Sequence, residues 1–133
     1  EFVVTENHQG APGLAHGGLL SLAFDEALGK LMWLLRAPAV TARLETDFLK
    51  PVPIGTKLYI TARITGQLNR KVYSEAEGRL GGPDGEIAVR AASLFVIVPM
   101  KHFLENAPAD YLENLRKNPE LLSFVDPEFD INP

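Results

Sequence analysis

The stretch from His8 to Leu35, HQGAPGLAHGGLLSLAFDEALGKLMWLL, decides the fold. It opens as a loop rich in Gly and Pro, passes through His16-Gly17-Gly18, and continues as a long apolar segment. From about Gly17 to Arg36 the apolar residues fit a helix that is apolar round most of its circumference, as a helix at the centre of a domain is. Pro38 cannot continue that helix and restrains Ala37 before it. Asp25, Glu26 and Lys30 sit in the middle of the segment. Their charges would be costly at the centre of a bilayer, so the expected surroundings are protein rather than lipid.

Helical geometry sets Asp25 and Glu26 about 100° apart. Glu26 lies four residues before Lys30, the favourable order for an acid–base pair, and so has an ordinary structural explanation. Asp25 has Gly18, Ser21, Leu22, Leu28, Gly29 and Met32 near its face, none of them basic. Such a carboxylate is either partnered from elsewhere or raised in pKa. Helix geometry alone leaves two roles open: a structural acid, or a catalytic base or nucleophile with space around it.

The start of the helix bears on that choice. The first N–H groups of a helix lack internal acceptors and lie at its positive end. Gly17 and Gly18 would let an anion or a carbonyl oxygen under attack come close to them. On one helix Gly17 and Asp25 are roughly 12 Å apart, too far to act on one carbonyl. Two antiparallel copies of the chain would bring the acid of one to the helix start of the other.

After the helix the sequence reads as strands. In residues 40–48, Val40, Ala42, Leu44 and Phe48 alternate with Thr41, Arg43, Glu45 and Asp47. In residues 57–65, Leu58, Ile60, Ala62 and Ile64 alternate with Lys57, Tyr59, Thr61 and Arg63. GQLNR turns the chain into a strand near 71–80, GGPDGE marks a hairpin, and residues 86–98 form the last and most apolar strand. With EFVVTE as a short first strand, the order is strand, helix, four strands. Short turns exclude parallel crossovers, so the fold class is α+β, an antiparallel sheet packed on one helix. Pro99 closes the last strand. KHFLEN and ADYLENLRKN predict short helices in a polar tail, and DPEFDINP predicts a frayed end.

The 133 residues make one expected domain, 1–133, with residues 100–133 as its tail. There is no cysteine, which excludes disulfides and thiolate chemistry and leans towards a cytoplasmic compartment. A net charge of −4 gives no basic footprint for nucleic acid and disfavours an anionic membrane surface. His8, His16 and His102 show no metal-ligand spacing, so neither metal nor cofactor is expected.

HQGAPGLAHGG followed by Asp25, nine residues after His16, resembles the acyl-CoA thioesterases of the hotdog fold, above all the PaaI-like branch and the related mammalian THEM thioesterases. VTARLETDFLKPVPIGT and NRKVYSEAEGRL resemble that branch too, and the likeness runs from about residue 8 to 98. It implies a curved antiparallel sheet round a central helix, sheets joined edge to edge in a homodimer or a dimer of dimers, and acyl-CoA bound at the interface. Residue by residue, it implies Asp25 as catalytic acid and the Gly17 N–H as donor to the thioester oxygen across the dimer. His16 is the motif histidine, a shaper of the turn, and Thr41 a polar site residue. Gln9 lies near an amide position, Gly18 beside the donor, and Arg70 and Lys71 in a turn within reach of coenzyme A phosphates. Gly10 departs from the Asn that some bacterial members carry six residues before the histidine. Only EFVVT precedes the motif loop where such sheets have another strand, so a further N-terminal segment is expected.

Three functions compete. The first is acyl-CoA hydrolysis, with Asp25 as general base or as nucleophile through an anhydride. The alternative is a non-catalytic acyl-CoA binder. A dehydratase ranks last, because it pairs an acid with a histidine over the substrate and no histidine lies in the helix or the strands of 40–98.

Overall fold

The computed structural model describes residues 1–118. Strand β1 (Phe2–Val3) leads through a 3-10 turn, Glu6–His8, into the motif loop and helix α1 (Gly17–Leu34). Four strands follow: β2 (Ala39–Phe48), β3 (Lys57–Leu68), β4 (Lys71–Leu80) and β5 (Ile87–Ile97). Helices α2 (Met100–Asn106) and α3 (Ala109–Lys117) form the tail; the frayed end expected at 126–133 lies outside the described residues. The sheet is antiparallel in the order β1-β3-β4-β5-β2 and curls round α1.

Helix α1 lays Leu20, Phe24, Leu28 and Met32, spaced four apart, on the inner face of the sheet. There they meet a core that includes Leu58, Val72, Ala76, Val89 and Phe95. The closest approach is at Gly78 of β4, where an added Cβ would lie 2.7 Å from the Phe24 ring. Within one chain the helix is buried along this stripe rather than round most of its circumference. Leu22, Trp33 and Leu34 are exposed, because the sheet covers one side of the helix only.

Strict alternation also fails in β2. Thr41 pairs with Phe95 and Arg43 with Leu94, so Ala42 is an extra residue in a β-bulge. Beyond the bulge the faces exchange. Thr41, Leu44, Thr46 and Phe48 share the inner face, opposite Phe95, Ser93, Ala91 and Val89. Arg43, Glu45 and Asp47 face outward.

Helix α1 ends in a Schellman arrangement: the Ala37 N–H donates to the Met32 carbonyl and the Arg36 N–H to the Trp33 carbonyl, both at 3.0 Å. This sets Arg36 at φ 52, a position that favours glycine. Arg36 is exposed, and among the described residues its side chain makes no hydrogen bond or ion pair. Arg36→Gly should therefore stabilise the chain by up to about 1 kcal/mol, read as a higher midpoint in urea at unchanged slope.

Candidate active site

The motif loop is fixed by its own backbone. Gln9 and Ala15 form an isolated bridge, the His16 N–H donates to the His8 carbonyl at 2.6 Å, and the Gly10 N–H to Leu14 at 2.9 Å. At Gly10 an added Cβ would lie 2.8 Å from His16 Cα. That close approach accounts for the departure from Asn here: this loop has no room for a side chain at residue 10. The Gln9 side chain is spent within the loop, where Oε1 accepts from the Gly13 N–H at 3.0 Å. The His8 Nδ1 accepts from the Thr5 N–H at 2.9 Å, and its ring lies 5.0 Å from that of Phe2.

His16 is the N-cap of α1. Its Nδ1 accepts from the Gly18 N–H at 2.9 Å, so the ring is bonded as the neutral form with its proton on Nε2. The His16 carbonyl accepts from the N–H groups of Leu19 and Leu20, at 3.0 and 3.1 Å. One first-turn donor remains: among the described residues the Gly17 N–H has no acceptor. The Phe48 ring lies over it, 3.3 Å from where a Cβ on residue 17 would stand. Glycine gives the ring, or a ligand, that approach.

Asp25 is half-buried on the next turns of the helix, and its partner comes from the sheet. The Thr41 hydroxyl donates to Asp25 Oδ1 at 3.0 Å. The bulge at Ala42 makes this possible by turning Thr41 inward. One turn earlier Ser21 donates to Thr46 at 3.4 Å, so α1 and β2 are joined at two levels. Glu26 and Lys30 are exposed and do not pair with each other; the i,i+4 ion pairs among the described residues are Lys101–Glu105 and Glu113–Lys117. Hydration of two exposed groups outweighs a pair worth a few tenths of a kcal/mol.

Asp25 and Thr41 line a cavity of about 320 Å³. Its other walls are Glu26, Gly29, Lys30, Met32 and Trp33 of α1, Ala37, Pro38 and Ala39, Phe95 of β5, and Met100, Phe103 and Tyr111 from the tail. The tail residues were not legible as part of a site. Their signal was Met100, Phe103 and Leu104 at i, i+3 and i+4 of a short helix. Gly17, Gly18, His16 and Gln9 lie at the other end of α1 and do not line this cavity. Arg70 and Lys71 stand exposed at the β3–β4 turn, also outside it. Among the described residues no group of His, Cys, Asp and Glu could hold a metal, and no helix is long and apolar enough to cross a membrane.

A family model described as the thioesterase superfamily matches residues 12–86, more than half of the chain and the whole span from the motif loop to the last hairpin. The chain belongs to the thioesterase superfamily. Acyl-coenzyme A thioesterase THEM4 of Xenopus laevis is 28% identical over 88 residues, 66% of this chain and 39% of that protein. The chain thus spans well under half the length of this curated relative. A solved thioesterase-superfamily protein is 30% identical at a TM-score of 0.66, covering 71% of this chain and 46% of that one. An acyl-CoA hydrolase from Staphylococcus aureus, solved in complex with butyryl coenzyme A and coenzyme A, has a TM-score of 0.67 at 24% identity, covering 75% of this chain and 62% of that one. The superfamily fold, a curled antiparallel sheet with a helix against it, is the hotdog.

Removing the Thr41 hydroxyl leaves Asp25 Oδ1 without its donor. Thr41→Val keeps the shape of the side chain, so any thioester hydrolysis should lose kcat about tenfold, the scale of one hydrogen bond to a charged group, while KM changes little.

Proposed function

We propose that this chain hydrolyses an acyl-CoA thioester to free acid and coenzyme A, with Asp25 as general base or nucleophile and the Gly17 N–H as oxyanion donor from a second copy. The observation that carries the reading is the pairing of two unspent groups. Asp25 is held by Thr41 at the mouth of a largely apolar cavity. The Gly17 N–H is the first-turn donor that His16 leaves open.

Edge strand β2 supports the assembly the chemistry needs. Among the described residues it ends the sheet, with β5 on one side and no strand on the other. Antiparallel pairing of two β2 strands about a centre between Leu44 and Glu45 sets Thr41 of one copy opposite Phe48 of the other. Phe48 lies on Gly17 of its own copy, and Thr41 holds Asp25 of its own. One contact would thus bring each acid to the other copy's oxyanion donor, and would offer cover for exposed apolar residues of α1.

In this arrangement the thioester oxygen takes the Gly17 N–H, and charge develops on it where a preorganised donor is most effective. Asp25 removes the proton from an attacking water, or attacks the carbonyl to give an anhydride that water then opens; the thiolate of coenzyme A leaves and is protonated. Arg70 and Lys71 supply positive charge for coenzyme A phosphates from an exposed turn, and Gln9 and His16 hold the loop that presents Gly17. The reading is tested by thiol release from acetyl-, butyryl-, octanoyl-, palmitoyl-, benzoyl- and phenylacetyl-CoA. Turnover sustains it. Acyl-CoA binding without release replaces it by the non-catalytic binder.

A further inference from the structure

We propose that the tail helices α2 and α3 form the end wall of the acyl pocket, and that Phe103, together with Tyr111, sets the longest chain the pocket accepts. The inference rests on the thioesterase reading and adds to it the class of substrate, a medium-length or compact apolar acyl group. The cavity has a direction. Asp25 and Thr41 stand at one end, and Gly29 and Met32 follow one and two turns further along α1. Nothing lies within 4 Å of where a Cβ on Gly29 would stand, so the floor beside the acid is open. Ala37, Pro38, Met100, Phe103 and Tyr111 line the cavity as well.

The wall is anchored at its root. The Val98 N–H donates to the Pro38 carbonyl at 2.8 Å, which ties the start of the tail to the start of β2, and Pro99 caps α2. The wall itself is not part of the core. Helix α2 has no buried residue, Phe103 is half-buried, and Tyr111 is 47% exposed. Two aromatic rings and a thioether from these helices line the cavity rather than a packed interior. From Asp25 to Met32 the helix rises about 10 Å, the length of roughly eight carbons in an extended chain. An octanoyl group or an aryl acyl group fits that path, and a palmitoyl chain would run into Phe103.

The test is kcat/KM against acyl length, from acetyl- to palmitoyl-CoA, for the wild type, Phe103→Ala, Tyr111→Ala and Phe103→Trp. Each further methylene buried is worth about fourfold. Phe103→Ala should therefore raise the ratio of myristoyl- to octanoyl-CoA at least about tenfold, and Phe103→Trp should lower the octanoyl value. The same shift is expected in equilibrium binding of non-hydrolysable thioether analogues of octanoyl- and myristoyl-CoA. That readout stands apart from catalysis: a length shift in binding without hydrolysis would keep the wall and remove the thioesterase reading. Melting curves matching the wild type exclude a general loss of structure. A length profile that keeps its shape in all three variants, or no binding of any analogue, overturns the proposal.

Discussion

Asp25→Asn is expected to lower acyl-CoA hydrolysis at least about a hundredfold, the scale of losing a general base, while fold and acyl-CoA binding stay near wild type. The geometry makes the substitution clean. The Thr41 hydroxyl donates to Oδ1, and the amide oxygen of Asn accepts the same bond. Asn differs in lacking a basic oxygen, so the lost rate reports chemistry rather than packing. Gly17→Pro removes the partner group by another route. Residue 17 is the first residue of α1, where proline is tolerated, His16 already has the extended backbone proline requires before it, and the exposed Phe48 ring has to give by only a few tenths of an ångström. Each variant alone should be nearly inactive. Mixed and allowed to exchange, they should recover about a quarter of the wild-type rate, because half of the pairs formed at random carry one intact site. No recovery on mixing would put both groups of a site in one chain. Wild-type turnover by Asp25→Asn would move the chemistry to another residue.

The elements were legible because their signals are local. Prolines and glycines bound α1, and period-two alternation marks β3 and β4 between short turns. The neighbour of β2 was not legible, since β3 and β4 lie between it and β5 in the sequence and no turn encodes the pairing. Ala42 hid the bulge. It suits a strand on either face, so nothing announced that Thr41 and Leu44 share the inner side, and the bond that explains Asp25 depends on it. The missing partner of Asp25 was visible as an absence; its identity needed the sheet. The exposed Leu22, Trp33 and Leu34 show the complementary limit. An apolar sequence records everything a surface is to meet, other copies included, whereas one chain buries only what it covers itself. The tail was read as polar because its apolar side chains stand among charged ones in two short helices, and nothing in the sequence said that Met100, Phe103 and Tyr111 would meet at one cavity.

Phe24→Ala should cost about 3–5 kcal/mol of folding stability, the range for deleting a buried aromatic ring. Phe24 is fully buried, midway along the stripe that α1 lays on the sheet. Gly78 beneath it is what lets the ring reach the strand, since a Cβ there would come within 2.7 Å of the ring and 3.2 Å of Leu58. The two residues make one contact from opposite sides, and their variants should not add. Gly78→Ala alone overpacks the site and should cost about 1–3 kcal/mol. Placed in Phe24→Ala, the same methyl enters the space the ring has left and should cost less or restore some stability. Urea unfolding of the two single variants and the double variant measures that difference. Strict additivity would mean that the ring does not seat on Gly78 and that the helix is held elsewhere. The outcome bears on the site as well: Phe24 is next to Asp25, so the ring that fixes the rotation of α1 on the sheet also fixes where the carboxylate meets Thr41.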